Sequence, residues 1–359
     1  MLNDERLSGV LDGVLKGRPI GGSDIEFLLG LKDPGSIKRL FETARKVRDR
    51  KFGKEVFLYG FVYFTTHCRN ECSFCHYRHS NGSVTRYRKT SEEVESLSSA
   101  LKDSGVHLID LTMGEDPLIH DLGGWEWLGS LVHEVKDATQ IPIMISPGVV
   151  PKAVLPMLRE AGADWYACYQ ETHNRSLFST LRTGQDYDVR MDCKIAARDA
   201  GMLIEEGIMV GVGESRMDRA HSIVEMARLG AQQVRAMTFV PQAGTPMGNA
   251  SSRRNLEELI AIAVMRLAFP DKLIPASLDI EGIDGAAIRI SAGANVITSI
   301  IPPERGLAGV AQHDLDIETG GRSVASIENL LDRMDAKVAS PGSYRSYLAE
   351  ARTSPGARA

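Results

Sequence analysis

Three cysteines lie within eight residues of the chain. Cys68, Cys72 and Cys75 stand in the stretch TTHCRNECSFCHYR with the spacing C-x3-C-x2-C, and only Cys168 and Cys193 remain elsewhere. An odd number of thiols, three of them crowded, is typical of metal binding in a reducing compartment rather than of a disulfide framework. Three thiolates without a fourth can hold an iron–sulfur cluster that leaves one iron open to a small molecule. The spacing therefore predicts a [4Fe-4S] cluster with one exchangeable site.

A structural zinc site is the first alternative, because His67 and His76 flank the cysteines. Structural zinc sites usually draw four ligands from two separated pairs, and no second pair of cysteines follows here. Three unrelated buried cysteines are the second alternative, and their crowding argues against it. A non-catalytic metal-binding protein that uses the three cysteines as a cluster carrier or a zinc site is a further alternative, and it would cleave no cofactor.

Composition and charge argue against several classes of protein. The chain has 359 residues, of which 43% are hydrophobic and 25% charged, as in ordinary globular proteins. Its net charge of −5 gives no basic field for nucleic acid or for an anionic membrane. The start, MLNDERLSGVLDGVLKGRPI, carries acids where a signal peptide is basic, and the most apolar run, VFLYGFVYF, is too short to span a bilayer. These features predict a cytoplasmic enzyme that binds neither nucleic acid nor membrane.

The elements that must position these residues alternate regularly along the chain. Eight apolar, β-rich segments are separated by helical patterns, such as SEEVESLSSALKDSG after the first and LGSLVHEVKDA after the second. Many of these patterns end in glycine, the usual residue after a helix. The alternation predicts an α/β fold, a closed parallel (β/α)8 TIM-type barrel. The segments cover residues 56–65, 107–113, 141–148, 165–171, 203–212, 233–241, 273–279 and 295–301.

The predicted barrel occupies residues 55–302. Residues 1–54 are predicted to form an N-terminal helical extension, since SDIEFLLGL has a cap signal before an apolar stripe. Residues 303–350 break the alternation and are predicted to pack on the barrel, with SVASIENLLDRMDAKV as one closing helix. Residues 351–359, ARTSPGARA, are predicted to be a disordered tail.

In a barrel of this kind, the active site forms at the carboxyl ends of the strands. The cysteine loop follows the first predicted strand, so its thiols fall at that end. The polar stretches DLTMGEDP, SPG, YQETHN, GVGES, FVPQAGTPM and SLDIEGIDG end the next six strands. Polar residues therefore concentrate beside the cysteines.

Charged side chains inside predicted strands are the candidate substrate ligands. Asp110 lies within strand two and Arg235 within strand six, and a buried charge needs a partner. Ser277 and Asp279 alternate on strand seven and share one face. An arginine can clamp a carboxylate and each aspartate can receive an ammonium, which suits a basic amino acid such as lysine or ornithine. An ion pair between Arg235 and Asp279 alone is the alternative.

The cysteine spacing, on the loop after the first strand of a barrel, resembles that of radical S-adenosylmethionine enzymes. In that superfamily the open iron chelates the cofactor's methionine moiety, and reductive cleavage gives a 5′-deoxyadenosyl radical. MGE (113–115) resembles the superfamily's GGE motif, apart from its first residue, and GIMVGVGE (207–214) resembles the strand-five motif. YQET, LRTG and YDVR resemble the biotin-synthase-like branch. The resemblance implies a [4Fe-4S] cluster and S-adenosyl-L-methionine as cofactors.

The resemblance also implies particular contacts. The cluster would be held by Cys68, Cys72 and Cys75. The adenine would meet Phe74 and the backbone near Tyr77. The full set of implied S-adenosylmethionine contacts is Phe74, Tyr77, Met113, Gly114, Glu115, Glu171, Arg182, Arg190, Val240 and Gln242. A low-potential electron donor such as flavodoxin or ferredoxin is the implied partner.

Longer blocks, from about residue 40 to 315, resemble the 3-methylornithine synthase family of pyrrolysine biosynthesis. They include IDLTMGEDP, MISPGV, RAMTFVPQAGTP, LIPASLDIEGIDG and AGANVITSIIPP. The resemblance implies isomerisation of L-lysine to (3R)-3-methyl-D-ornithine, in which the skeleton separates into a glycyl radical and an aminobutene that recombine. Asp110 would hold the side-chain ammonium. The implied substrate contacts are Asp110, Ser146, Tyr169, Arg235, Ser277, Asp279, Thr298 and Ile300.

Another enzyme of the biotin-synthase-like branch, such as a hydrogenase maturase, is the alternative within the superfamily. Biotin synthase itself uses a second cluster held mainly by further cysteines, and only Cys168 and Cys193 are left for one. The set of Arg235, Asp279 and Asp110 argues against the maturase.

Radical chemistry also requires a reaction space closed to water, because an escaping fragment or entering solvent would end the reaction. Ile300 and Ile301 are bulky and apolar, and they end strand eight. We expect these two residues and the N-terminal helices to close the barrel mouth.

Overall fold

The computed structural model describes residues 2–250, 256–302 and 321–353, and a barrel of eight parallel strands forms its centre. The strands pair in the order β6-β5-β4-β3-β2-β1-β8-β7. This confirms the predicted (β/α)8 fold. The strands are β1 (Glu55–Thr65), β2 (Leu108–Met113), β3 (Ile143–Ser146), β4 (Ala163–Ala167), β5 (Leu203–Val210), β6 (Gln233–Thr238), β7 (Pro275–Ser277) and β8 (Val296–Ile300).

Helices connect successive strands on the outside of the barrel. The helix α4 begins at a capping box in which the Thr90 hydroxyl accepts from Glu93 N, and it ends before the left-handed Gly105. The connecting helices are α4 (Ser91–Ser104), α5 (Pro117–His120), α6 (Trp125–Thr139), α7 (Leu155–Glu160), α8 (Arg175–Leu181), α9 (Tyr187–Asp199), α10 (Arg216–Leu229), α11 (Leu256–Ala268) and α12 (Gly282–Ser291).

The barrel closes between β6 and β7 through a short seam. A single parallel bridge pairs Gln233 with Leu273, two residues before β7. Leu273 O accepts from Val234 N at 3.0 Å, and Leu273 N donates to Gln232 O at 3.1 Å. The barrel is therefore nearly closed, with fewer ladder bonds at this seam than between β5 and β6.

A separate apolar cluster fills the barrel at the amino ends of its strands, and we call it the barrel floor. Its large members include Tyr59 and Trp165, both buried. The helix α14 (Pro341–Thr353) covers the floor with Tyr344, Tyr347 and Leu348. The Tyr59 and Tyr344 hydroxyls are 2.8 Å apart. The floor consists of Phe57, Tyr59, Leu108, Met144, Trp165, Ala167, Leu203, Leu273 and Val296.

The C-terminal segment differs from the prediction of one closing helix. α13 (Val324–Arg333) ends before Asp335, which has a φ of 53°, and β9 (Lys337–Val338) then pairs in parallel with β1. The left-handed Asp335 interrupts the helix that the apolar pattern predicted to continue. α14 includes residues 351–353, so the first three residues of the predicted disordered tail are helical. Residues 354–359 lie outside the described residues.

Three helices precede β1 in the described residues: α1 (Leu2–Leu15), α2 (Gly22–Leu29) and α3 (Pro34–Phe52). α3 starts with proline after Asp33, whose carboxylate accepts from Ser36 N at 2.8 Å. α2 and α3 pack against α11, and α2 also packs against α10, on the outside of the barrel. No helix in the described ranges is long and apolar enough to cross a membrane.

Candidate active site at the carboxyl end of the barrel

A cavity opens at the carboxyl ends of the strands and contains about 1050 Å³ free of protein atoms, counted out to its mouth. The predicted residues that line it are Phe74, Cys75, Asp110, Ser146, Tyr169, Glu171, Arg235, Val240, Gln242, Asp279 and Thr298. The predicted residues outside its lining are Cys68, Cys72, Tyr77, Met113, Gly114, Glu115, Arg182, Arg190, Ser277 and Ile300.

The three crowded cysteines lie on one loop after β1, near enough for each thiol to affect the others. Burial raises the pKa of the Cys68 thiol to about 11, and burial together with the other two thiols raises the pKa of Cys75. Two donors face the Cys72 sulfur: Gln185 Nε2 at 3.0 Å and Arg182 Nη1 at 3.6 Å. Cys72 is therefore held between the segment that contains Gln185 and the end of α8.

The donor set fits an iron–sulfur cluster better than a single zinc ion. Within the described ranges, no group of three or more His, Cys, Asp or Glu side chains is gathered as one metal ion requires. A cube of four irons holds its thiolates farther apart, and three thiolates leave one iron open. The end of β2 also fits against this loop, because a Cβ added to Gly114 would lie 2.3 Å from His67 O and 2.9 Å from Cys68 Cβ.

The tripeptide Met113–Glu115 lies beside the cysteine loop and does not line the cavity. The Met113 side chain is buried in the core between barrel and helices. The Glu115 carboxylate accepts from Val149 N at 3.0 Å and from Arg69 Nε at 3.1 Å. Burial acts to raise the pKa of Glu115, but nearby cations, Arg190 foremost, outweigh it and hold the pKa below its usual value. Glu115 therefore joins three loops. The backbone beside it is also bonded, since Gly114 O accepts from Asp116 N at 2.7 Å and Glu115 O accepts from Arg69 N at 2.9 Å.

Glu171 and Arg182 form a buried pair between the cysteine loop and the cavity. Arg182 Nη2 donates to Glu171 Oε1 at 2.7 Å, and Glu171 has a φ of 67°, uncommon for a residue with a side chain. Burial raises the pKa of Glu171 despite Arg182. Arg182 Nε is buried without a hydrogen-bond partner in the part of the chain that the structure describes, which leaves a donor for a ligand. Arg190 lies behind the pair, where its Nε donates to Tyr169 O at 2.8 Å.

Three of the predicted S-adenosylmethionine contacts, Phe74, Val240 and Gln242, line the cavity. Phe74 lines the cavity, and the Arg182 guanidinium carbon lies 5.4 Å from the centre of its ring. Val240 and Gln242 line the cavity after β6, with Gln242 Nε2 donating to Val240 O at 3.1 Å. The Tyr77 ring instead packs on Tyr63, with ring centres 4.9 Å apart, so only its backbone can serve as predicted.

Asp110 and Ser146 form one end of the substrate region. Asp110 Oδ1 accepts from Ser146 Oγ at 3.0 Å and from Thr112 Oγ1 at 2.9 Å. Burial, and then the charge of Glu205, raise the pKa of Asp110 to about 7. This carboxylate therefore lies where a ligand ammonium would restore its ordinary acidity.

Arg235 pairs with Glu205 of β5, a residue that we did not predict. Arg235 Nε donates to Glu205 Oε1 at 2.7 Å, and the Tyr169 hydroxyl donates to Glu205 Oε2 at 2.9 Å. Arg235 Nη1 reaches Thr298 Oγ1 at 3.4 Å. Glu205 thus holds one edge of the guanidinium while the group still lines the cavity.

The Asp279 carboxylate accepts hydrogen bonds from three side chains, and Arg235 is not one of them. Its Oδ1 accepts from Arg322 Nη1 at 2.6 Å, and its Oδ2 accepts from the hydroxyls of Ser277 at 3.0 Å and Ser299 at 2.6 Å. Ser277 therefore supports Asp279 from outside the cavity lining. The alternative in which Arg235 and Asp279 simply pair with each other is wrong, since each has another partner.

The prediction that Ile300 contacts the substrate is wrong, because the side chains of β8 do not alternate between its two faces at the end of the strand. Ser299 has a φ of 67°, so both Thr298 and Ser299 line the cavity. Ile300 then points into the core outside the barrel, where it is fully buried. Regular alternation would have placed Thr298 and Ile300 on one face.

The predicted seal at the mouth is also not formed as expected. Ile300 and Ile301 belong to the core between barrel and helices. The N-terminal helices pack on the outside against α10 and α11, and none of their described residues lines the cavity. Among the described residues, the closed end of the barrel is the floor beneath α14.

Sequence reasoning missed Gln185, Glu205, Ser299 and Arg322. Glu205 carried a usable signal, an acid inside the apolar strand LIEEGIMV, which is the argument that identified Asp110. Ser299 was missed because its left-handed backbone conformation breaks the alternation that sequence reasoning assumes. Gln185 and Arg322 reach the site from segments outside the strands, and their sequence neighbourhoods give no signal.

Comparison with known proteins gives consistent matches. The sequence matches the Radical SAM superfamily over residues 62–227. It is 43% identical over 337 residues to the 3-methylornithine synthase of Methanosarcina barkeri, covering 94% of this chain and 95% of that protein. The crystal structure of methylornithine synthase (PylB) superposes with a TM-score of 0.90 at 43% identity, covering 94% of this chain and 99% of that one. The [FeFe] hydrogenase maturase subunit HydE of Thermotoga maritima is 29% identical over 272 residues, covering 75% and 77%.

Proposed function

Because the chain belongs to the 3-methylornithine synthase family of radical S-adenosylmethionine enzymes, we propose that it isomerises L-lysine to (3R)-3-methyl-D-ornithine. The observation that carries the proposal is one cavity that joins a cluster-type cysteine to a charge pattern complementary to lysine. Cys75 lines this cavity together with Asp110, Arg235 and Asp279.

The charges of the cavity match those of lysine. Three acids in and around the cavity are paired with arginines, Glu205 with Arg235, Asp279 with Arg322 and Glu171 with Arg182. Asp110 makes no salt bridge among the described residues, so its ionised form, which predominates above pH 7, leaves one net negative charge. Lysine carries a neutral zwitterionic head and one further ammonium, so the head suits the paired end and the ammonium suits Asp110.

The residues around the cysteine loop are suited to the two cofactors. We infer that Cys68, Cys72 and Cys75 hold the cluster, and that the backbone of residues 113–115 with Glu171 and Arg182 holds S-adenosylmethionine, with Arg190 orienting that pair. When bound, these cofactors supply a 5′-deoxyadenosyl radical that removes a hydrogen atom from the substrate. The buried, unpartnered Nε of Arg182 and the close fit of Gly114 against the loop support this assignment.

Two separated anchors suit a reaction that breaks and rejoins the carbon skeleton. The head of lysine would be held by Arg235 and Asp279, and its side-chain ammonium by Asp110. If the skeleton separates into a glycine-like and an amine-bearing part, each part keeps a charged anchor. The parts then stay oriented for recombination, because neither charge can leave its partner without a cost in solvation.

The test is an anaerobic assay of reconstituted protein with S-adenosylmethionine, a reductant and L-lysine, followed by mass spectrometry of derivatised products. We expect a compound isobaric with lysine but chromatographically distinct, absent with Asp279→Ala although that variant retains its iron. Deoxyadenosine without a lysine isomer would reject lysine as the substrate and favour maturase-like chemistry. No cofactor cleavage by fully loaded protein would reject the enzyme.

The same assay examines the electron donor. We infer a low-potential donor such as flavodoxin or ferredoxin, and a cytoplasmic location, because all five cysteines are free thiols and three are grouped as metal ligands. Turnover should continue when dithionite is replaced by reduced flavodoxin or ferredoxin. If neither flavodoxin nor ferredoxin supported turnover, the inferred class of electron donor would be wrong.

A further inference from the structure

Arg322 lies behind the end of the cavity that receives the amino-acid head. Its Nη1 donates to Asp279 Oδ1 at 2.6 Å, and the side chains of Arg322 and Asp279 are only 7% and 12% exposed. Its carbonyl oxygen accepts from Ile301 N at 3.3 Å, which fixes it to the end of β8. Arg322 does not line the cavity, so it acts on a ligand through Asp279.

The contacts of Asp279 leave room for little else. A carboxylate offers about four lone-pair positions. Arg322, Ser277 and Ser299 occupy three of them at distances of 2.6–3.0 Å. The three donors fix the plane of the carboxylate and leave about one position for a donor from the cavity.

Arg322 also sets the charge of this end of the cavity. With Arg322 in place, Asp279 belongs to a neutral pair, as Glu205 does with Arg235. The neighbouring residues Thr298 and Ser299 contact Arg235 and Asp279 respectively, so the two pairs lie side by side. A neutral zwitterion matches these paired charges, whereas an ammonium without a carboxylate would add an unbalanced positive charge.

We propose that Arg322 is a positioning residue that makes the site prefer an amino acid with a second amine over the corresponding diamine. It does so by orienting Asp279 and neutralising its charge. Without it, the cavity would be lined by two carboxylates that make no salt bridge, those of Asp110 and Asp279, an arrangement complementary to a dication. The inference rests on the proposed function, because it takes the bound head to be that of lysine.

The experiment is isothermal titration calorimetry of cluster-loaded protein with S-adenosylmethionine at pH 8, with L-lysine and 1,5-diaminopentane as ligands. The diamine is lysine without its carboxylate. We expect wild-type protein to bind lysine at least tenfold more tightly than the diamine. Arg322→Met should reduce this ratio at least tenfold, through weaker lysine binding and stronger diamine binding. Arg322→Lys should restore most of the preference.

The matched control is Arg219→Met. Arg219 is similarly buried and pairs with Glu257 at 2.9 Å, but it lies on α10 away from the cavity lining. Its variant should keep the wild-type ratio. If folded Arg322→Met bound lysine with the wild-type ratio of lysine to diamine affinity, the inference about Arg322 would be overturned but the proposed function would stand. If that variant does not fold, the wild type still decides, because a diamine bound as tightly as lysine would overturn it. Wild-type protein that binds no lysine would overturn both the proposed function and this inference.

Discussion

Asp110 faces the cavity with two hydroxyl donors and, in the part of the chain that the structure describes, no salt bridge. Burial raises its pKa to about 7, and the charge of Glu205 adds to the effect. The hydroxyls of Thr112 and Ser146 and the charge of Arg235 act in the opposite direction without cancelling it. Before a cation binds, this carboxyl therefore changes its charge near neutral pH, which makes it sensitive to an approaching cation.

Lysine binding should depend on pH through Asp110. An ammonium binds the ionised carboxylate and lowers its pKa, so binding is fully favourable above pH 7 and weakens as the pH falls below it. The dissociation constant for L-lysine should rise about tenfold between pH 8 and pH 6, measured by calorimetry on loaded protein. Asp110→Asn should bind about 30-fold more weakly at pH 8 (~2 kcal/mol) and remove this dependence. Asp103→Asn, an exposed surface variant, should behave like wild type; a wild-type pH profile in Asp110→Asn would contradict the assignment.

The elements position the cofactor residues through close backbone packing. The cysteine loop after β1 lies directly against the end of β2, and Gly114 N donates to Thr65 O at 3.1 Å. On the other side, Ser73 N donates to Leu181 O at 2.8 Å, which fixes the loop to the end of α8. The thiols are thus held by backbone contacts from two neighbouring elements.

Gly114→Ala should displace the cysteine loop, because its new methyl group would lie 2.3 Å from His67 O and 2.9 Å from Cys68 Cβ. Both of these neighbours are on or next to the backbone and cannot rotate away. We expect most of the reconstituted iron to be lost, measured as iron per chain and as absorbance in the visible range. Gly82→Ala is the matched control, because an added Cβ there meets nothing within 4 Å. Equal iron in the two variants would show that the loop does not depend on this contact.

Ser299 can be separated into a backbone role and a hydroxyl role. Ser299→Gly keeps the left-handed conformation but loses the hydrogen bond to Asp279, so lysine binding should weaken roughly three- to tenfold (~1 kcal/mol) with nearly unchanged stability. Ser299→Val is strained at a φ of 67° and should also lose about 1–3 kcal/mol of unfolding free energy. Denaturant unfolding and lysine titration measure the two effects. A valine variant as stable as the glycine variant would contradict the backbone role.

The same elements show what the sequence could predict. The eight strands were predictable because apolar segments recur with helices between them, and the thiols because their spacing suits a cluster. The prediction that Ile300 contacts the substrate was wrong because side chains alternate only along regular strands, and the backbone of Ser299 is left-handed. The contact between Arg322 and Asp279 could not be predicted, because the two residues are 43 positions apart in sequence. β9 has two residues, too few to carry a pattern.

At the scale of the whole molecule, the barrel has a different environment at each end. The carboxyl end holds the polar cavity, and the amino end is filled by the barrel floor under α14. Four aromatic rings, those of Phe57, Tyr59, Tyr344 and Tyr347, make contacts with one another at this end. The stability of the barrel therefore depends on a helix outside the βα repeat.

Tyr344→Ala should destabilise the entire barrel by about 3–5 kcal/mol, because it removes a fully buried ring from the floor. Tyr344→Phe removes only the contact between the Tyr344 and Tyr59 hydroxyls and should cost about 1–2 kcal/mol. Urea unfolding monitored by circular dichroism measures both. If the alanine variant unfolded at the same midpoint as the phenylalanine variant, the ring would not be part of the barrel's core.

The position of α14 has a consequence for how the protein is made. Tyr344 meets Tyr59 across 285 positions of sequence. At about 5–20 residues per second, a ribosome delivers α14 roughly 15–60 s after β1. During that time the apolar amino ends of the strands have no cover, and contacts so distant in sequence form slowly even after release. The nascent chain therefore depends on chaperones to prevent aggregation for longer than a protein in which each apolar surface is covered by the next segment synthesised.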